Sequence, residues 1–254
     1  MSQTTRSALH LAHTGTYSQQ STNAFSFAAN QASLAHTSAF MAGVYGERRF
    51  MLQELSLYQV AATLPTKSGQ FGIIGSYFGG PANAEMEVGL AYGRKLGEKV
   101  AIGGQFNYYN QRIPQYYSSS ALSVEAGVLL KVSEQLLTGF HLYNPNGTTL
   151  EKTEERLPAM YTVGFGYEPS NHLALVGEVQ KVEDEKINLK ATISYKFDKR
   201  IYAKAGMHSA NAVYTIAAGV KLSSLSLEIV TSIHTRLGMS PGLMLLFQQK
   251  EKSP

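Results

Sequence analysis

The feature that most constrains this chain is a repeated unit. From about Ser38 onward, runs of roughly ten residues alternate apolar and polar side chains, and each run closes in a polar turn. The clearest run is Lys186 to Phe197. Ile187, Leu189, Ala191, Ile193, Tyr195 and Phe197 fall on one side of an extended chain, with Lys186, Asn188, Lys190, Thr192, Ser194 and Lys196 on the other. Ala121 to Val132 and Tyr214 to Leu222 split in the same way, into an aliphatic face and one carrying Ser, Thr, Gly, Glu and Lys. Such runs exceed the roughly 5–6 residues of an ordinary strand and are long enough to cross a bilayer when tilted near about 45°. No stretch of the sequence approaches the ~20 apolar residues that a spanning helix needs. A lipid-exposed chain without such helices must close its sheet into a barrel, because hydrocarbon offers no partner for a free strand edge.

Further alternating runs begin near Glu85, Val100, Tyr161, Leu173 and Leu225, and weaker ones lie near Phe40, Leu55, Phe71, Leu136, Ile201 and Leu243. Together they predict an all-β, antiparallel, up-and-down transmembrane barrel of about fourteen strands, an even number as bacterial barrels have. The two longest connectors, Asn110 to Ser119 and Asn144 to Leu157, are separated by one tight turn at Ser133 and Glu134, so both leave the same rim. The turns at Pro65 to Gly69, Pro169 to Asn171, Asp198 to Arg200 and Ser223 to Ser224 then share the opposite, periplasmic rim. Tyr92, Tyr108, Tyr109, Tyr161, Tyr167 and Tyr195 fall near strand ends, where amphipathic rings sit at a membrane interface. The competing architecture, a soluble sandwich or propeller, also alternates but uses shorter strands. The predicted organisation is a hatch segment over 1–36, a barrel over 37–250 and a short tail over 251–254.

Composition narrows the function classes. Charged residues make up 16% of the chain, below the roughly 25% of soluble domains. The net charge is only +4 and the basic residues form no patch with interleaved aromatics, so nucleic acid is not expected as a partner. Without cysteine there is no disulfide, thiolate metal site or thiol nucleophile. From Met1 to Gln20 no continuous apolar core of a secretory signal is present. Either a leader precedes this numbering or the chain is not exported, and the residues do not choose between these.

Before the first strand, Ser21 to Ser38 reads STNAFSFAANQASLAHTS, small and polar without alternation, and predicts a plug or short helix. Its stretch Asn30-Gln31-Ala32-Ser33-Leu34-Ala35 resembles the Asn-Pro-Ala-Gly/Ser-Leu-Ala element of the PorV/PorQ family of Bacteroidota, itself similar to FadL-type long-chain fatty-acid transporters. Gln31 stands where that family has proline. The resemblance implies a fourteen-stranded barrel with these six residues in a hatch inside the lumen. It also implies one of two roles: an accessory subunit docking a protein-secretion, surface-attachment or outer-membrane assembly complex, or a transporter of hydrophobic small molecules. The family element and the short outer loops favour the accessory role at this stage. The expected location is a bacterial outer membrane. The expected partners are its lipid and lipopolysaccharide, other outer-membrane proteins of a complex, and a hydrophobic small molecule.

No catalytic constellation is legible. His141, His172, His208 and His234 are candidate bases, yet no serine stands in a nucleophile context. His10 and His13 lack a further ligand, so no metal and no cofactor is expected. Glu183-Asp184-Glu185 and the charged stretch 151–156 read as solvated outer loops. The parity of the runs instead sends Glu85, Glu87, Glu125, Lys131, Glu178, Lys186, Lys190, Lys196, Lys204, Lys221 and Glu228 into one lumen. There, cross-strand Lys–Glu pairs are the expected arrangement, because an unpaired charge away from water is costly.

Overall fold

The computed structural model describes residues 15–19, 21–152, 155–210 and 212–250. The His10 and His13 pair, the first part of the predicted hatch and the tail 251–254 lie outside the described residues. Fourteen strands follow one another: β1 Met41–Arg48, β2 Ser56–Thr66, β3 Gly69–Gly80, β4 Asn83–Leu96, β5 Val100–Ile113, β6 Tyr117–Lys131, β7 Leu136–Tyr143, β8 Met160–Tyr167, β9 Leu173–Val182, β10 Asn188–Lys196, β11 Ile201–His208, β12 Val213–Leu222, β13 Leu225–His234 and β14 Gly238–Gln248. Each pairs antiparallel with the next, and β1 pairs with β14, Met41 opposite Gln248 and Glu47 opposite Gly242, which closes the barrel. Closure leaves no free edge, as a lipid environment requires.

Side-chain parity separates two surfaces. On neighbouring strands Phe106 and Leu122 point outward, 73% and 70% exposed, while Asn107 and Glu125 point inward and are buried. Large apolar side chains facing out over most strands form a lipid belt, not the surface of a soluble sandwich or propeller. The fold and this belt place the chain in an outer membrane. Both chain ends of the barrel and turns such as Ser223–Ser224 and Lys67–Ser68 share one rim, the periplasmic one.

Three expectations are corrected. The connector Asn110 to Ser119 is mostly sheet: β5 runs on to Ile113 and β6 begins at Tyr117, because Asn110 pairs with Ser120 and Arg112 with Ser118. Tyr109 is not an interface ring but lies inward, 1% exposed, since consecutive residues of a strand face opposite ways and Tyr108 takes the outer side. Lys186 does not line the lumen, because β9 ends at Val182 and β10 starts only at Asn188, which leaves Lys186 exposed in the outer loop between them.

The long connection after β7 remains a loop and turns inward. Leu150 and Leu157 bury against Tyr109 and Ala121 on the inner face of β5 and β6, whose 14 and 15 residues stand taller than the 8 of β7 and β8. Asn144 holds the bend, donating from Nδ2 to the Leu157 carbonyl (2.6 Å) and accepting from the Thr148 hydroxyl (2.9 Å). Gly147 sits at φ 59°, and a side chain there would overlap the Arg156 guanidinium folded over it.

Candidate functional site

The segment before β1 folds into the lumen as two short 3₁₀ turns, Ser26–Ala28 and Gln31–His36. All six residues singled out in the sequence, Asn30 to Ala35, are buried there. Asn30 caps the second turn, its side-chain oxygen accepting from the Ala32 amide (3.0 Å). Its Nδ2 donates to the carbonyls of Val128 (3.2 Å) and Phe140 (3.1 Å), so one side chain ends the turn and ties it to β6 and β7. The wall admits this approach because it is glycine there. A Cβ at Gly127 would overlap the Asn30 amide, and one at Gly103 would overlap the backbone of Gln31. On the far side, Phe25, Phe27 and Leu34 form a dry core with Met41, Tyr45, Leu57, Phe78 and Met244 of the wall.

Gln31 reaches the most connected polar group of the lumen. Glu125 accepts from Gln31 Nε2 (2.7 Å), Asn107 Nδ2 (2.6 Å) and Gln105 Nε2 (3.1 Å), and His141 Nε2 lies 2.9 Å away. Glu125 and His141 are 4% and 1% exposed, so this carboxylate is held by donors in place of water. A proline at position 31 could not make the bridging bond. A second polar tie joins the Ser18 hydroxyl to Glu168 at the periplasmic end of β8. At the hatch end, burial, with Lys95 and Lys131 nearby, pushes the His36 imidazole from the ordinary 6.5 down to about 4.

The remaining predicted lumen charges fall into three sets. Glu85 and Glu87 are buried towards the outer end of β4. Lys190 on β10 faces its direct register partner Glu178 on β9, Nζ to carboxylate 3.4 Å. Lys204 on β11 reaches two strands across to Glu228 on β13 (2.7 Å). That span is open because β12 presents only Ala217 and Gly219 in between. Lys131 pairs with Glu134 at the periplasmic rim (2.8 Å), while Lys196 and Lys221 stand at the same rim on the opposite wall. The four histidines lie apart: His141 in the hub, His172 in the turn before β9, and His208 and His234 at the outer ends of β11 and β13.

Between the hatch and the inner face of β10 to β14 lies a cavity of about 430 Å³, bounded by Ala24, Thr37 and Ser38 of the hatch and by Lys196, Tyr202, Lys221 and Leu246 of the wall. A much smaller space, about 70 Å³, sits at His36, Lys95 and Lys131. Sequence reasoning did not single out Gln105, Asn107, Phe25 or Phe27. Parity places Gln105 and Asn107 inward, but nothing local identifies their common partner.

No protein-family model matches the sequence, and no curated protein matches it. Solved structures do match the fold. The Pseudomonas putida toluene transporter TodX aligns at a TM-score of 0.64 and 8% identity over 87% of this chain and 91% of that one. The CymD monoaromatic hydrocarbon channel aligns at 0.62 and 9% identity over 89% and 92%. A Pseudomonas aeruginosa FadL homologue aligns at 0.60 and 12% identity over 86% and 91%. This chain is therefore an outer-membrane barrel with the fold of FadL-type channels.

Proposed function

We propose that this chain is a non-enzymatic outer-membrane channel that passes small hydrophobic or amphipathic molecules, with the segment around Asn30 to Ala35 as its hatch. The observation that carries the reading is the cavity between hatch and wall: an accessory subunit needs only a sealed lumen, whereas a channel needs room beside its hatch. The CymD and TodX barrels are named for monoaromatic hydrocarbons and toluene, which supports the same substrate class. The inward loop over residues 144–159 would narrow the outer mouth, and the hub at Glu125 would keep the hatch seated between passages. The accessory-subunit reading suggested by the PorV/PorQ resemblance has no comparable observation behind it.

The test is uptake of radiolabelled toluene by a Gram-negative host that lacks channels of this type. Expression should raise the initial rate above the empty vector, and a disulfide engineered from the hatch to β6 should return it to the baseline. An unchanged rate with correctly folded, heat-modifiable barrel in the outer membrane would sink the channel reading and favour a docking role.

A further inference from the structure

The cavity beside the hatch is not neutral. Five cations border it, Lys196, Lys199, Arg200, Lys204 and Lys221, against the single carboxylate of Asp198. Asp198 accepts from the backbone amides of Arg200 (2.6 Å) and Ile201 (2.7 Å), which hold it ionised, so it offsets one of the five. Lys204 is matched by Glu228, and Glu168, the other acid near Lys196, is bonded to Ser18. Among the described residues Lys199 and Lys221 have no ion-pair partner, and Arg200 has only the electrostatic attraction of the neighbouring Asp198. All three are exposed at the periplasmic rim of β10 to β12, where the cavity opens. On the hatch and strands β1 and β14 the cavity is lined by apolar Ala24, Met41 and Leu246, while Tyr202 lies on the cationic wall with the Lys204 ammonium over its ring (5.3 Å to the centroid). A site cationic at one end and apolar at the other matches one chemistry, and its volume lies within the range that holds a single small molecule.

We propose that this periplasmic vestibule is a binding site for a small organic anion, a carboxylate or phosphate group on an apolar body. The anionic head meets Lys199, Arg200 and Lys221, and the body lies against Met41 and Leu246. As a station for cargo the site rests on the channel reading above; as a binding site it does not. The same anionic chemistry could be offered by a soluble molecule or by the headgroup of an acidic phospholipid of the inner leaflet.

Benzoate and toluene differ only in carboxylate against methyl, which makes them the discriminating pair. Isothermal titration of the refolded barrel in a neutral detergent should give benzoate at least about tenfold tighter than toluene, with affinity falling as salt rises. The triple variant Lys199→Ala/Arg200→Ala/Lys221→Ala should weaken benzoate by about tenfold, whereas Lys181→Ala/Lys186→Ala at the outer rim should not change it. On the unmodified chain, benzoate should protect Lys199 and Lys221 from amine acetylation read by mass spectrometry, which holds even if the triple variant folds poorly. Competition by inorganic phosphate would mark a soluble anion as the ligand, and competition only by micelle-borne phosphatidylglycerol would mark a lipid headgroup. Equal affinity for toluene and benzoate, or no protection of the two lysines, would overturn the proposal. Because binding is measured without transport, anion binding with no toluene uptake would retain this site and reject the channel, and the reverse result would do the opposite.

Discussion

Replacing Gln31 with alanine deletes the polar bond between the hatch and the Glu125 hub while leaving the three donors from the wall, Gln105, Asn107 and His141, in place. A hydrogen bond to a charged, buried acceptor contributes about 1.5–3 kcal/mol, so the population with the hatch undocked should rise by roughly 10- to 100-fold. The chain has no cysteine, which makes a single reporter thiol unambiguous. Ser33 is the site for it. Its hydroxyl is buried with no partner among the described residues, so Ser33→Cys is nearly isosteric and removes none of their hydrogen bonds. The rate at which a water-soluble maleimide labels Ser33→Cys, measured in the refolded barrel with and without Gln31→Ala, reports hatch opening directly when reclosing is faster than labelling. The expected acceleration is on the order of tenfold or more. A ratio below about threefold, with both proteins heat-modifiable, would mean that the hub plays no part in seating the hatch and that the dry contacts of Phe25, Phe27 and Leu34 with the Asn30 and Ser18 ties suffice.

Four further outcomes are expected. Gly127→Ala places a methyl group on the Asn30 amide and should cost about 1–3 kcal/mol of hatch docking, seen as proteolysis of the segment before β1 while the barrel stays intact. Glu228→Ala leaves Lys204 buried and uncompensated and should lower resistance to urea unfolding by about 3–5 kcal/mol, whereas Lys204→Met/Glu228→Leu should recover most of it. His36 is held neutral in the docked hatch, with its pKa down from 6.5 to about 4. Docking stability should therefore be complete above pH 6.5, fall as the released hatch takes up a proton between pH 6.5 and 4, and level off below, a loss of up to about 3 kcal/mol that His36→Gln should abolish in hydrogen exchange of the hatch. Asn30→Ala removes both the cap of the 3₁₀ turn and the ties to Val128 and Phe140, and should accelerate labelling at Ser33→Cys at least as much as Gln31→Ala does.

The strand count was legible because lipid imposes the same demand on every strand: an apolar side chain at each outward position, repeated with period two. The inner surface is under no such uniform demand. What it faces differs around the barrel, and the partners are far apart in the chain: Gln31 and Glu125 meet across 94 positions, Ser18 and Glu168 across 150. Parity could therefore state that Glu125, Lys190 and Lys204 point inward, but not that one would anchor the hatch and the others would pair across strands. Lys186 was misplaced because its outer-loop position happens to continue the alternation of β10 by one more step, and alternation alone carries no signal for where pairing stops.

The strength of the alternation nevertheless carries information about the lumen. Five of the six weakly alternating runs became β1, β2, β3, β7 and β14. Their inward faces bury Met41 and Tyr45, Leu57 and Ala61, Phe78, Leu137, and Met244 against or beside the hatch. Alternation weakens there because apolar side chains stand on the inward face as well, in β1, β2, β3 and β14 against the dry core around Phe25, Phe27 and Leu34, and in β7 where Leu137 packs beside Tyr17, Ala32 and Ala35. Where it is cleanest, in β10 and β12, the inward face is left to Lys190, Lys196 and Lys221, and this is the wall along which the cavity runs. β6 also alternates cleanly but lies on the hatch side, since its inward polar residues serve the hub at Glu125. In this barrel a broken period, as distinct from an intact one, thus marks mainly wall against the apolar plug, with β11 the exception, since it alternates weakly yet lines the cavity with Tyr202 and Lys204. That distinction separates the seat of the hatch from the side on which anything passing it must travel.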